Sequence, residues 1–155
     1  MIGLLQRVSR ADVRIDGATV AEIGLGLLVL AGVERGDTPR EAKRLAERLV
    51  QYRVFADEDG RFNRDVRDKG GSILLIPQFT LAADTRKGNR PGFSQAAAPE
   101  LGKPLFEALV AETRALGVET RTGRFGADMS VSLVNEGPAT FWLEAVAVER
   151  RRRPC

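Results

Sequence analysis

The feature that most restricts the fold is a nearly unbroken apolar run at residues 25–33, which contains Leu27-Leu28-Val29-Leu30. A strand buried on one face alternates apolar and polar residues, whereas this run is apolar on both sides along the length of a strand. It therefore predicts a buried central strand. A second apolar run, residues 73–76, ends at Pro77. Because proline has no N–H for a central ladder, we expect regular pairing to stop there and to leave backbone amides free.

Two helices are expected around these runs. Thr38-Pro39-Arg40-Glu41 begins the first, because threonine is a good cap, proline suits the first helical position and glutamate three residues after the cap completes a capping box. Apolar residues then recur with helical spacing at Ala42, Leu45, Ala46, Leu49 and Val50. The second helix is expected at Glu100–Leu116, with Gly117 just past its end.

Strands are expected more often than helices. One should run from Ile2 to Val13, and short ones are expected at Tyr52–Phe55, Ser72–Ile76, Gln78–Ala82, Val118–Thr122, Ser130–Val134 and Thr140–Val148. They are grouped in hairpins and do not alternate one for one with helices. The pattern therefore predicts an α+β fold with mainly antiparallel sheets and two main helices.

Length and charge indicate one domain with a basic end. The 155 residues contain no internal repeat and no linker-like stretch, so we expect a single domain at residues 1–149 and a basic tail at 150–155. Without Arg150–Arg153, the 24 basic residues fall to 20 against 21 acidic ones, so the body is close to neutral. A solvated terminus explains the tail, and weak, salt-sensitive attraction to a polyanion is the alternative.

The composition excludes several chemistries. The chain has no histidine, which removes Ser-His-Asp and Cys-His catalysis, imidazole bases and histidine-ligated metals. Cys155 is the only thiol and lies at the end, so no internal disulfide is expected. No apolar run of membrane-spanning length and no signal-peptide pattern is present, which favours a soluble cytoplasmic protein without membrane contact. An enzyme with this composition would rely on other side chains, its backbone or its substrate, and we expect no metal or cofactor.

Three further segments have both a structural and a functional interpretation. Asn135–Thr140 is typical of a hairpin turn, or it presents Gly137-Pro138 as a rigid element with a cis peptide bond and carbonyls facing a ligand. Thr122–Met129 lacks the pattern of a phosphate loop and favours a tight turn leading into a strand. Arg86, Lys87 and Arg90 share a loop that is either ordinary surface or a contact for phosphates.

These segments also carry a resemblance to a known family. Its two motifs, Ser-Gln-x-x-Leu and Asn-x-Gly-Pro-Val-Thr, match Pro77-Gln78-Phe79-Thr80-Leu81 and Asn135-Glu136-Gly137-Pro138-Ala139-Thr140, and further similarity runs from Met1–Val8 through Gly24–Leu30 to Thr140–Leu143. The chain resembles D-aminoacyl-tRNA deacylases of the bacterial and eukaryotic type, the D-Tyr-tRNA deacylase family. The resemblance implies a single β-barrel-like domain and hydrolysis of the ester that joins a D-amino acid, or glycine mischarged on tRNA-Ala, to tRNA.

The resemblance also implies the site. Gln78, Phe79 and Thr80 form the catalytic pocket: backbone amides near Gln78 and Phe79 stabilise the oxyanion, and the ribose 2′-hydroxyl at the tRNA 3′ CCA end assists. The resemblance further implies a homodimer with active sites at the subunit interface. Gly137-Pro138 of one subunit enters the other's pocket, binds the α-amino group through its carbonyls and excludes L side chains. Thr80 has a positioning role, because no base is available to activate it as a nucleophile.

Supporting residues follow from the same resemblance. The pocket and its support comprise Met129, Asn135, Thr140 and Arg7, with Arg7 bracing the Gly-Pro element. Two positions depart from the motifs, since Pro77 replaces serine and Ala139 replaces valine. Two alternatives stay open: a non-catalytic tRNA- or RNA-binding protein with a degenerate site that uses Arg86–Arg90 and the tail, and a related deacylase whose flipped Gly-Pro carbonyls accept small L-amino acids.

Overall fold

The computed structural model describes residues 1–146. Within this range the chain forms eight strands, two α-helices and one short 3-10 helix. The strands are β1 (Ile2–Ile15), β2 (Ala18–Ile23), β3 (Gly26–Gly32), β4 (Phe55–Ala56), β5 (Phe62–Arg64), β6 (Ser72–Pro77), β7 (Thr120–Thr122) and β8 (Ser130–Glu144), and the helices are α1 (Pro39–Gln51), the 3-10 helix (Phe79–Ala82) and α2 (Pro99–Ala115). The expected tail at 150–155 lies outside the described residues, so the boundary at 149 stays a prediction.

Strand β1 organises the main sheet. Its first half, Ile2–Val8, pairs with β3, its second half, Ala11–Ile15, pairs with β2, and β8 runs along both halves, all antiparallel. Strands β3, β6 and β7 follow in parallel. Strand β2 also contacts β6 and β7, so the mixed sheet curls back on itself into a nearly closed barrel. The expected α+β class with a barrel-like core and two main helices is confirmed.

Both faces of β3 and β6 are buried, which explains their unbroken apolar runs. Leu27 and Ile73 face a cluster shared with the two helices, whereas the next residues, Leu28 and Leu74, face the inside of the curled sheet. These four side chains are 1% exposed or less. If β3 or β6 shifted by one residue, its two faces would be exchanged and both would still be apolar. The apolar runs therefore do not determine the register, which is set by the neighbouring strands.

Helix α1 has the capping box expected from its sequence. Thr38 accepts a hydrogen bond from the backbone N–H of Arg40 (3.3 Å), and the carboxylate of Glu41 accepts one from the backbone N–H of Thr38 (2.8 Å). The apolar face of α1 packs against α2 and the sheet. The helix therefore covers β1 and β8.

Two expected strands are wrong. At Gln78–Ala82 the structure has instead the 3-10 helix Phe79–Ala82, because after Pro77 the chain leaves the ladder beside β3 and turns. At Tyr52–Phe55, strand structure begins only at Phe55, where β4 pairs with β5 in a separate two-stranded sheet. Both errors lie where short apolar segments are placed by tertiary contacts.

Replacing the cap of α1 should destabilise the protein without changing its fold. Thr38→Ala removes the acceptor for the Arg40 amide and one partner of Glu41, so we expect the free energy of unfolding to fall by about 1 kcal/mol. Urea denaturation measures this loss. Thr85→Ala is the control, because Thr85 is exposed and outside the helix; an equal loss in both variants would contradict the capping role.

Candidate active site

The 3-10 helix after β6 presents unused backbone donors. The Gln78 amide donates to the carbonyl of Ala31 (2.7 Å), which is the last rung between β6 and β3. The next two amides, of Phe79 and Thr80, begin the 3-10 helix and have no acceptor in the described part of the chain. This corrects the expected pair of donors: the Gln78 amide is already engaged, and the available amides are those of Phe79 and Thr80.

The side chains of this helix are held in a fixed arrangement. The side-chain amide of Gln78 donates to the hydroxyl of Thr80. This bond uses a lone pair of the Thr80 oxygen and takes no proton from it, so it orients the hydroxyl without making it a nucleophile. The ring of Phe79 is 57% exposed and lies 5.2 Å, centroid to centroid, from that of Phe93.

A close backbone approach places the 3-10 helix against β3. A Cβ atom on Gly32 would lie 3.0 Å from the Gln78 carbonyl oxygen and 3.1 Å from the Leu81 Cβ. Any larger residue at position 32 would push the helix away from the end of β3. The absence of a side chain there therefore fixes where the Phe79 and Thr80 amides lie.

A cavity of about 600 Å³ opens beside Phe79, whereas Thr80, the next residue, is not part of its lining. Its lining comes mainly from Ile76–Phe79, Phe93, residues 96–99 and Phe125–Met129. The second part of the turn at 122–129, which the sequence indicated only as a connection, thus forms one wall, and Met129 belongs to it. Phe93 and Phe125 are missed by the sequence analysis, and the signal that could have found them is an aromatic residue beside glycine in a polar loop.

The Gly137-Pro138 element lies elsewhere on the chain, on a bulge of β8. Gln6 pairs with Thr140 and Val8 pairs with Asn135, so four residues of β8 stand opposite the single residue Arg7. The hairpin turn considered for Asn135–Thr140 is wrong, because β8 runs through this segment without reversing and both its halves pair with β1. The Gly137-Pro138 peptide bond is cis.

Side chains from β1 and β8 hold the bulge. The Asn135 amide donates to the carbonyls of Arg7 (2.9 Å) and Ala139 (3.2 Å), which closes its base. Arg7 donates to the carbonyls of Glu136 (3.0 Å) and Val54 (2.6 Å) and lies over the ring of Phe62. The bulge is therefore tied to β1 and to the loop before β4.

A third contact joins the bulge to β1, and one side chain fills the space beneath it. The side-chain amide of Gln6 donates to the Thr140 hydroxyl (3.2 Å). Ala139 is fully buried, whereas Gly137 and Pro138 are exposed. Neither Gly137 nor Pro138 lines the cavity beside Phe79. Within one described chain, the two predicted parts of the site are separate.

The basic loop, which contains Arg86, Lys87 and Arg90, has one ion-paired side chain and two that form no ion pair within residues 1–146. It is closed by paired backbone hydrogen bonds between Asp84 and Gly92. Arg86 donates to the carboxylate of Asp84 (2.7 and 2.8 Å), and these hydrogen bonds hold the pKa of Asp84 well below its usual value. Lys87 and Arg90 are exposed and form no ion pair within residues 1–146. The loop ends beside Phe93 and hence beside the cavity.

The described residues form neither a metal-binding cluster nor a membrane-spanning helix. Within residues 1–146, no three histidine, cysteine, aspartate or glutamate side chains lie close enough together to hold a metal ion. None of the described helices is both long and apolar enough to cross a bilayer. The polar groups that line the cavity are backbone amides, the side-chain amide of Gln78, the guanidinium of Arg35 and the carboxylate of Asp128, and aromatic rings complete its walls.

Comparison with known proteins identifies the family. The model of the D-Tyr-tRNA(Tyr) deacylase family matches residues 4–144, nearly the whole described chain. The chain belongs to this family. D-aminoacyl-tRNA deacylase from Alkalilimnicola ehrlichii is 59% identical over 145 residues, covering 94% of this chain and 97% of the relative. The enzyme of the same name from Paracidovorax citrulli is 60% identical over 141 residues, 91% of each chain.

Solved structures agree with the deacylase fold. The c-Myc DNA unwinding element binding protein superposes with a TM-score of 0.89 at 35% identity, over 95% of this chain and all of that one. A probable eukaryotic D-amino acid tRNA deacylase superposes with a TM-score of 0.79 at 17% identity, over 92% and 98% of the two chains, which shows a common fold. The family and the hydrolase class expected from the sequence are confirmed.

Proposed function

We propose that this deacylase hydrolyses the ester of D-aminoacyl-tRNA, and of glycine mischarged on tRNA-Ala, in the cytoplasm, releasing the free amino acid and tRNA. The observation that carries the proposal is the pair of adjacent amides, Phe79 and Thr80, that have no acceptor in the described part of the chain, the first of them on a residue that lines an aromatic-walled cavity. Ester hydrolysis develops negative charge on the carbonyl oxygen, and preorganised N–H donors stabilise that charge. Membership of the deacylase family supplies the substrate class.

The mechanism needs no ionisable side chain at the reacting atoms. Water attacks the ester carbonyl carbon while the Phe79 and Thr80 amides receive the oxyanion. The bond from that carbon to the ribose 3′ oxygen then breaks, and the proton that the water loses passes to the 3′ oxygen with the help of the adjacent 2′-hydroxyl. One such donor contributes roughly 10²–10³ in rate. Pro77, which replaces the serine of the motif, removes a hydroxyl but neither of these two amides. The mechanism therefore does not require that serine.

The cavity fits the terminal adenosine of the tRNA CCA end. Its volume is about 600 Å³, and the rings of Phe79, Phe93 and Phe125 contribute to its walls. Bases bind sequence-tolerantly by stacking on aromatic side chains. This placement brings the ester, which is attached to the same ribose, towards the Phe79 and Thr80 amides.

We further propose a homodimer in which Gly137-Pro138 completes the partner subunit's cavity. The element is exposed and tied to β1, yet it lies apart from the cavity of its own chain. An apolar row also crosses the sheet by register, from Trp142 through Leu4 and Leu30 to Ile76, a residue of the cavity lining. Trp142 is 50% exposed in the single chain, and a second copy would cover it.

Chiral selection would come from the inserted backbone. Carbonyls of Gly137 and Pro138 bind the α-amino group, and the backbone leaves no space for a side chain of L configuration, so selection works by exclusion. In the alternative geometry, with these carbonyls turned away, small L-amino acids would be accepted.

A second candidate is a non-catalytic RNA-binding protein. The exposed Lys87 and Arg90 and the arginines at 150–153 favour it, as does the similarity to a DNA unwinding element binding protein. Such a protein would be indifferent to the chirality of the amino acid. Activity on matched D and L esters separates the two functions.

The wild-type protein should hydrolyse D-Tyr-tRNA and leave L-Tyr-tRNA intact, with a chelator present throughout. Gly137→Ala should slow D-Tyr-tRNA hydrolysis by about 10²-fold, because a displacement of about 1 Å at the reacting centre costs that much. The overall fold should be kept, since the new Cβ would press only on the Asn135 side-chain oxygen, 3.3 Å away, which needs to shift by a few tenths of an ångström. Gly24→Ala is the control, because its Cβ would meet nothing within 4 Å. Binding of tRNA without hydrolysis of either ester would instead favour the RNA-binding protein.

Mixing two defective variants tests the shared site. Phe79→Pro removes one amide donor, and Gly137→Ala alters the inserted element. If each site uses one part from each subunit, random exchange should restore about a quarter of the wild-type activity, because half the dimers are mixed and each contains one intact site. Unmixed Phe79→Pro and Gly137→Ala serve as controls. No recovery after verified subunit exchange would place both parts in the same chain.

Charge reversal in the basic loop should weaken tRNA binding without altering chemistry. Lys87→Glu with Arg90→Glu should raise KM at low salt, with kcat unchanged. The slope of log affinity against log salt should fall by about 1 for each phosphate that the loop no longer neutralises. Lys103→Glu on α2 is a control of the same kind of charge reversal. If each reversed charge changed KM equally at both places, the effect would come from the net charge of the protein and not from direct binding of phosphates by the loop.

A further inference from the structure

Gly123 lies directly behind Met129, a residue of the cavity wall. It follows β7, and its amide donates to the carbonyl of Leu75 (3.0 Å). A Cβ atom at this position would lie 2.7 Å from the sulfur of Met129, 3.2 Å from the Cδ1 of Ile76 and 3.5 Å from the Cδ of Pro77. The φ angle of Gly123 is outside the left-handed region, so backbone conformation does not demand glycine there. Glycine is required there because the Met129 thioether approaches so closely.

We propose that Gly123 is a positioning residue that keeps the Met129 side chain out of the cavity and so sets the space for the terminal adenosine. This inference rests on the proposed function, in which that nucleoside occupies the cavity. Met129, Ile76 and Pro77 all belong to the lining, whereas Gly123 itself does not. Its effect on the substrate is therefore indirect and passes through the thioether.

The surroundings of Met129 decide where its side chain would move. An added Cβ at Gly123 requires the sulfur to retreat by about 1 Å to reach an ordinary contact distance. On the core side Met129 packs against the cluster inside the curled sheet, of which Ile76 is a member and is already near the new atom. The cavity is the open side. Methionine is flexible enough to move there without disturbing the fold.

The experiment compares Gly123→Ala with Gly24→Ala, whose new Cβ meets nothing within 4 Å. We measure kcat and KM for D-Tyr-tRNA and D-Ala-tRNA, and the Kd of AMP as a probe of the nucleoside space. Gly123→Ala should raise KM about tenfold for both esters and weaken AMP binding equally, because one methyl group in a fitted pocket has at least this effect. The kcat value and the Tm should match those of Gly24→Ala.

A double variant separates this role from a general structural one. Met129→Ala removes the displaced thioether, so Gly123→Ala combined with Met129→Ala should recover the AMP affinity and the KM of Met129→Ala alone. Unchanged KM and AMP affinity in Gly123→Ala would overturn the inference, as would a loss that the double variant does not relieve. An increase for D-Tyr-tRNA but not D-Ala-tRNA would also overturn it, because the wall would then face the amino-acid side chain.

The two proposals fail in different ways. If the wild-type protein hydrolyses neither ester, the proposed function fails. The AMP measurement still tests Gly123 in that case, because it needs no turnover, and equal AMP affinity in wild type and Gly123→Ala would refute its role. Active wild type with unaltered Gly123→Ala kinetics would refute only the inference.

Discussion

The site depends on the hydrogen bond from the Gln78 amide to the Ala31 carbonyl, the last rung between β6 and β3. Pro77, the residue before Gln78, ends strand β6. After Gln78 the chain turns into a 3-10 helix whose first two amides have no acceptor in the described residues. Gly32 allows this helix to lie directly against the end of β3. A buried parallel ladder thus holds exposed backbone donors in place, which is the preorganisation that stabilisation of an oxyanion requires.

The second proposed element, Gly137-Pro138, lies on a bulge inside a strand, whereas the Phe79 and Thr80 amides follow the end of one. Strand β8 pairs with β1 on both sides of a bulge, so the bulge is anchored at both ends by the sheet. Arg7, the single residue opposite it, and Asn135, at its base, satisfy carbonyls that the interrupted ladder leaves unpaired. Gly137 and Pro138 are consequently exposed on a well-supported segment. Such a segment would suit the proposed insertion into a second subunit better than a flexible loop would, because less conformational entropy is lost on binding.

Both proposed elements use backbone groups, which agrees with a chain that has no histidine. A site that works through amide N–H groups and carbonyls contains no group that must titrate near neutral pH. The cost is geometric, because backbone atoms are placed only by the surrounding packing. Glycine at positions 32 and 123 meets that requirement, since in both places a Cβ would press on groups that carry or line the cavity. In the proposed site, the shape of the cavity therefore depends on two positions that have no side chain.

Local sequence determined much of the architecture. The capping box predicted the start of α1, apolar runs predicted the buried β3 and β6, and Pro77 predicted the end of the ladder. These features are local, because caps, periodicity and a missing N–H act within a few residues. Tertiary structure alone decided that the chain after Pro77 turns into a 3-10 helix, that Gly137 lies on a bulge and not in a hairpin, and that Phe93 and Phe125 meet at one cavity. Those outcomes depend on which distant strands pair, and pairing between residues far apart in the chain leaves no periodicity in the sequence.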